Sequence, residues 1–336
     1  MNTNVRVVLP VVVFSVFCAS CGELTAQTRP SGYVWLAVDR LPNAPVPVTE
    51  LRARLFAEEK FGLGRLTIHL AGFVEGLVAD RGRGQTARDV TARPQEAYVE
   101  VAGARADLRA GYTRVVWGRL DEIQPTDIVN PLDLARFFLE GRSEARLAVP
   151  LVRGRLFFGE RATMDAVLVP TFTRGSFDLL DERASPFNLE ADRIVCLGIG
   201  VCRPLDPAVL EPPTSLRNVQ GGARVSATAG RWDWSVAAYR GFDAFGTFKV
   251  QPPDPLALAP LMQAARTFPR LTMVGGDFET ARENWALRGE VAAIHSDVDR
   301  VDVGAGVDRR AGRFHVSGTL LVHRESAAGE PSRYTT

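Results

Sequence analysis

The stretch Arg313-Phe314-His315-Val316-Ser317-Gly318-Thr319-Leu320-Leu321-Val322-His323 alternates between apolar and polar side chains. Successive side chains of a strand point to opposite faces, so Phe314, Val316, Gly318, Leu320 and Val322 share one face, and His315, Ser317, Thr319 and His323 the other. Leu321 alone breaks the rhythm. Working outward, the same alternation predicts strands at 31–39, 48–57, 65–79, 95–103, 106–117, 145–158, 162–172, 218–228, 231–240, 270–279, 284–295, 300–308 and 313–323, thirteen in all. Such strands build either a soluble sandwich, with the apolar face packed on a core, or a membrane barrel, with the apolar face against lipid.

Connection lengths favour the barrel. The links at 104–105, 159–161, 229–230, 280–283 and 309–312 are tight, whereas 80–94, 118–144, 173–217 and 241–269 are long. Short turns on one side and long loops on the other are the habit of outer-membrane barrels, and a sandwich has no reason to segregate them. Two links fit this rule less well: 296–299 is short where a long loop is due, and 58–64 exceeds a minimal turn.

The faces agree. Leu51, Ala53 and Leu55 oppose Glu50, Arg52 and Arg54; Leu66, Ile68, Leu70, Val74 and Val78 oppose Thr67, His69, Phe73 and Glu75; Trp285, Leu287 and Val291 oppose Asn284, Arg288 and Glu290. In a barrel the second set lines a wet lumen, so Arg52, Arg54, His69, Glu75, Arg224, Arg288 and Glu290 are candidate lumen-facing residues that bias ion selectivity. Small residues such as Gly221, Ala223 and Ala227 on the apolar faces suit a lipid-facing wall better than a densely filled core. Trp117, Trp232, Trp234 and Trp285 stand at strand ends, where indole rings sit at a membrane interface.

The beginning of the chain reads as an export signal over residues 1–26: Arg6 precedes the apolar run 7–17, and Leu24-Thr25-Ala26 suits cleavage before Gln27. A lipid anchor at Cys21 is the alternative, against which Cys18 stands where such signals carry leucine. No later stretch approaches the roughly 20 apolar residues that a membrane helix needs. Cys196 and Cys202 flank a short glycine-containing segment and, in an exported protein, are expected to close a disulfide loop rather than to hold a metal. At 46% hydrophobic, 24% charged and a net charge of +1, with arginine interleaved among acids, the composition gives no concentrated basic surface, and no nucleic-acid partner is expected.

Residues 117–133, Trp-Gly-Arg-Leu-Asp-Glu-Ile-Gln-Pro-Thr-Asp-Ile-Val-Asn-Pro-Leu-Asp, leave the alternation abruptly. They resemble the W-G-x-x-D/E, then D-x-x-N-P-x-D signature of a largely uncharacterised family of Gram-negative outer-membrane barrel proteins. The motif positions are Trp117, Gly118, Asp121, Asp127, Asn130, Pro131 and Asp133, and the resemblance implies a transport role without naming a substrate. Physically, Asn130-Pro131 keeps Asn130 out of helical geometry, and Asp127 and Asp133 can accept backbone hydrogen bonds in turns. A sharper expectation is that 118–144 folds into the lumen as a constriction, with a short helix at 134–139. A calcium site from Asp121, Glu122, Asp127 and Asp133 is a further alternative, although the spacing is not that of an EF-hand.

No G-x-S-x-G elbow, Walker loop, H-E-x-x-H or paired C-x-x-C occurs, so the common hydrolase, nucleotide and zinc signatures are missing and neither enzyme nor cofactor is expected. His69, His295, His315 and His323 read as polar wall residues. The expectation is therefore an antiparallel transmembrane β-barrel in outer-membrane lipid, a channel for passive diffusion or uptake of small solutes. An exported non-channel β protein, lipid-anchored or structural, is the alternative. Because bacterial single-chain barrels close with an even number of strands and the last residues carry no closing aromatic, the complete protein is expected to have fourteen strands or more.

Overall fold

The structure is a computed structural model and describes residues 7–11, 30–41, 48–80, 86–121, 123–176, 194–197, 201–204, 208–251, 263–327 and 333–335. Thirteen strands, each paired with the next, form an antiparallel wall among the described residues: β1 (Ser31–Leu41), β2 (Val48–Leu63), β3 (Leu66–Asp80), β4 (Thr86–Ala102), β5 (Ala106–Thr113), β6 (Val149–Phe158), β7 (Ala162–Val169), β8 (Gln220–Ala229), β9 (Trp232–Phe242), β10 (Arg270–Arg282), β11 (Trp285–His295), β12 (Val298–Ala311) and β13 (Phe314–Ala327); five short strands of two smaller sheets lie in the connections after β7 and β9. The short strands Val7–Val11 and Arg333–Thr335 flank them, giving a fifteen-stranded sheet whose two edges are not paired with each other. Of the residues read as an export signal, only Val7–Val11 is described, antiparallel to β1; Cys21 lies outside the described residues.

Every predicted strand has its counterpart; the strands expected at 106–117 and 162–172 end early, at Thr113 and Val169, the one at 145–158 starts late, at Val149, and two stretches read as links are strand. The segment read as an over-long link at 58–64 belongs to β2, which runs on to a two-residue turn at Gly64-Arg65. The long loop expected at 80–94 is mostly the first half of β4, paired with β3 as far as Thr86, with a register shift between Ala71 and Gly72. Both segments carry charge on both faces, Glu58 and Lys60 opposite Glu59 and Arg88 opposite Asp89, which breaks the alternation by which a strand is read. The turns after β2, β8 and β12 place Gly64, Gly230 and Gly312 at φ near +60°, conformations that residues with a Cβ enter only at a cost. The turn after β10 uses Glu283, at φ 54°, in the same role.

The polarity of the sheet is the reverse of a soluble sandwich. On β2, Leu51 and Leu55 are 49% and 58% exposed, whereas Arg52 and Arg54 between them are 0% and 3% exposed. Val74 and Val78 are exposed beside buried Phe73 and Glu75; Val236, Val274, Leu287, Val303 and Leu320 continue the apolar exterior around the wall. Trp232, Trp234 and Trp285 lie outward at the turn end of the sheet, as an interfacial girdle requires. Trp117 does not join them: it is wholly buried, which corrects its reading as an interface residue. No helix among the described residues is long and apolar enough to cross a membrane. The chain folds as an antiparallel transmembrane β-barrel wall.

An outward arginine is costly only where the outside is lipid. Leu55→Arg is expected to lower unfolding free energy in phospholipid vesicles by about 2–4 kcal/mol, measured by urea titration. A change near zero would mean that this face meets water.

Candidate functional site: the inner segment and its anchors

After β5 the chain does not continue up the wall but turns inside it, over residues 114–148, and rejoins the wall at β6. Asn130 closes the base of this excursion. Its Nδ2 donates to the carbonyl oxygens of Thr113 (3.1 Å) and Leu147 (2.8 Å), and its Oδ1 accepts from the N–H of Val115 (2.7 Å). One buried amide thus ties together both ends of the segment. Pro131 has no N–H to satisfy, and its carbonyl accepts from the N–H of Leu147 (2.9 Å).

The other motif residues divide the remaining work. Asp127 accepts from Arg142 and Arg146 and, through Oδ1, from the N–H of Trp117 (3.4 Å). Asp133 caps α1 (Leu134–Glu140) by accepting from the N–H of Arg136, and it pairs with Arg93 at 2.8 Å. α2 (Arg142–Ala145) follows at once. Gly118 is required by packing: a Cβ there would sit 2.4 Å from Cβ of Gln124. Trp117 stands edge-on to Tyr239 (centroids 6.3 Å apart) in an apolar cluster with Val115, Val129, Leu151, Val167, Leu271, Met273 and Ile294.

Charged anchors fasten the segment to two stretches of wall. On β11, the Glu290 carboxylate, 3% exposed, accepts from the N–H groups of Arg119 (3.0 Å), Leu120 (3.3 Å) and Thr126 (2.6 Å) and from the Thr126 hydroxyl (2.8 Å). The Arg119 side chain reaches β10, where it bonds Asp277 and also Glu279 at 3.2 Å. Small residues make room: a Cβ on Gly275 would meet Thr126 at 2.7 Å, and one on Gly304 would meet Leu120 at 2.3 Å. At the far side, Glu140 of α1 accepts from Arg52 (3.0 Å) and Arg54 (2.7 Å) on β2, while Arg136 forms a two-bond fork with Glu75 on β3 (2.7 and 3.2 Å). Arg54 bonds Glu75 as well, at 2.7 Å, closing the network, and Arg52 reaches back to Asp39 on β1 at 2.9 Å.

The residues singled out in the sequence are therefore distributed as follows. Arg52, Arg54, Glu75 and Glu290 are buried and meet the inner segment. Arg224 bonds Asp277 (2.8 Å) and the Ser235 hydroxyl (2.8 Å), and Arg288 bonds Asp308 and Asp121. His69 lies apart, between Glu58 (2.9 Å) and Glu96 (3.1 Å). Its fellows pair with acids too: His295 with Asp299, His315 with Asp308 and His323 with Asp302. Asp121, Asp127 and Asp133 each meet a different arginine, and no group of three potential metal ligands occurs among the described residues; Glu122 lies outside them. Cys196 and Cys202 are opposed in the register of a hairpin, Ile194–Leu197 with Val201–Pro204, but their side chains lie outside the described residues.

Sequence reasoning missed Arg119, Arg136, Glu140 and Asp277. Arg136 and Glu140 carry a usable signal, since an i, i+4 pair of opposite charge marks one helix face. Arg119 and Asp277 carry none, because nothing in a linear pattern brings them together.

No family model matches the chain, and no curated protein does either. Among solved structures, the siderophore receptor PirA from Pseudomonas aeruginosa aligns at 10% identity and a TM-score of 0.45, over 91% of this chain and 51% of the receptor. The loop-deleted OmpTdeltaL8, an outer membrane protein of Vibrio cholerae, aligns at 10% identity and a TM-score of 0.46, over 91% of this chain and 84% of that protein. The copper transporter OprC aligns at 11% identity and a TM-score of 0.41, over 88% of this chain and 50% of the transporter. The chain thus spans about half the length of the receptor and the copper transporter.

The inverted polarity of the sheet, with apolar side chains outward and paired charges inward, and the outward tryptophans at its turn end define the described strands as the wall of a transmembrane β-barrel.

If Glu290 holds the segment, its loss strands buried N–H donors. Glu290→Ala is expected to cost about 3 kcal/mol or more in stability and to expose Arg119 and Arg142 to trypsin in detergent. An unchanged digestion pattern would contradict the anchoring.

Proposed function

We propose that the protein is an outer-membrane channel for passive diffusion or uptake of small solutes, in which residues 114–148 form the constriction. The observation that supports this best is the inner segment itself, fastened by ion pairs to β2–β3 on one side and β10–β11 on the other. A barrel that served only as an anchor would have no need to thread a charged segment across its interior. The inner face also carries charge beyond the segment: Glu100 with Arg109, Asp107 with Arg155, and Asp165 with Arg153 form a belt of ion pairs across β4–β7. In this reading residues 1–26 direct export, Cys196 and Cys202 close an outer hairpin, and the wall carries out no chemistry.

The reading also assigns the candidate lumen residues two different tasks. Arg52, Arg54, Glu75 and Glu290 hold the constriction in place, while Arg224 and Arg288 belong to the wall beside the path. Deleting 127–138 is expected to raise single-channel conductance in a planar bilayer; an unchanged conductance would refute the constriction. Replacing Arg52 and Arg54 together by glutamine leaves Glu140 and Glu75 with less counter-charge, so the reversal potential in a salt gradient is expected to move toward cation selectivity. A reversal potential that stays put would remove these residues from the path.

A further inference from the structure

Leu321, the residue that interrupts the alternation of β13, turns inward and lines a cavity of about 290 Å³ between the inner segment and β9–β13. The cavity has two kinds of lining. Phe242, Phe245, Leu271 and Leu321 supply an apolar surface, and Ile123 and Ile128 close it from the inner segment. Beside them stand Arg300 and the acids Asp127, Asp243 and Asp302. The acids are occupied: Asp127 by Arg142 and Arg146, Asp243 by the N–H groups of Phe245 (2.9 Å) and Gly246 (3.2 Å), and Asp302 by His323 (2.5 Å).

Arg300 is different. Its side chain lines the cavity and is 32% exposed, and its Nη1 approaches Asp243 only to 3.8 Å, beyond hydrogen-bond reach. A guanidinium that borders a cavity with no hydrogen bond from its own chain has donors to offer an acceptor from outside it. The volume lies just under the roughly 300–1,000 Å³ typical of small-molecule sites, which combine an apolar lining with a few placed polar groups, and so suits only a small solute.

We infer that this cavity binds a small organic anion with an apolar body, an aryl or alkyl carboxylate, whose carboxylate is received by Arg300 and whose body rests on Phe242, Phe245, Leu271 and Leu321. A guanidinium suits a carboxylate because its donors form a planar fork. The apolar floor selects against simple inorganic anions, which would leave it bare. This deepens the channel reading, on which it rests for its physiological sense, by naming the solute class.

The probe is sodium phenylacetate, titrated calorimetrically into the full chain folded in detergent, with 2-phenylethanol and acetate as the neutral and the truncated analogues. Phenylacetate is expected to bind at one site, with both analogues about tenfold weaker or more. Arg300→Gln is expected to lose about tenfold or more in phenylacetate affinity, while Arg309→Gln, which removes an exposed arginine over Trp285 at the turn end, leaves it unchanged. Equal binding of 2-phenylethanol, or full affinity in a folded Arg300→Gln variant, would overturn the inference. Should Arg300→Gln fail to fold, Leu321→Ser decides: the preference for phenylacetate over acetate must shrink, and an undiminished preference removes the apolar floor. Potassium chloride conductance of the same preparation separates the two readings. Conductance without phenylacetate binding sinks this site and keeps the channel; binding without conductance sinks the channel and keeps the site.

Discussion

A sheet that meets lipid on its convex side can hide charge only on its concave side, and in this chain the concave side is crowded with it. Arg52, Arg54, Glu75, Asp277 and Glu290 are all at most 6% exposed. Charges this deep are tolerated only when paired and hydrogen-bonded, and breaking one such pair costs several kcal/mol. The wall supplies part of the pairing by itself, strand to strand, as in Arg153 with Asp165. The remainder comes from the inner segment, whose Arg119, Arg136 and Glu140 complete networks that the wall leaves open.

The motif in residues 117–133 is an expression of that constraint. Asn130 ties the ends of the excursion, Asp127 gathers Arg142 and Arg146, Asp133 caps α1, and Gly118 admits the side chain of Gln124. They shape a segment that other residues fasten, and the same stretch closes one side of the cavity through Ile123 and Ile128. Phe242, Leu271, Arg300 and Leu321, which line the cavity under that segment, all come from wall strands.

The wall was legible because lipid on one face and ion pairs on the other impose alternation over the middle of most strands, as on β2 over 50–55 and β11 over 285–291. It was least legible where that environment ends. Residues 58–63 and 86–94 belong to strands, yet Glu58, Glu59 and Lys60, or Arg88 and Asp89, put charge on both faces and so hide the two-residue period. Trp117 misled for a related reason: an indole at a strand end has the look of a girdle, but the chain leaves the wall at residue 114 and carries the ring inward. The helix at 134–140 and the inward course of 118–144 could be anticipated from the break in alternation. The anchors Arg119 to Asp277 and Glu140 to Arg52 could not, since they join residues far apart in sequence with no shared periodicity.

The most direct test of this account asks whether the inner segment touches the wall where Arg119 meets Asp277. The chain carrying Arg119→Lys, folded in detergent, is treated with a water-soluble carbodiimide, which joins a lysine amine to a carboxylate in direct contact with loss of water, and its cross-links are mapped by peptide mass analysis. An amide bond between positions 119 and 277 or 279 is the predicted result. A lysine at position 119 that stays unlinked, or that links only to acids outside β10, in a barrel that still shifts its gel mobility on heating would contradict the account.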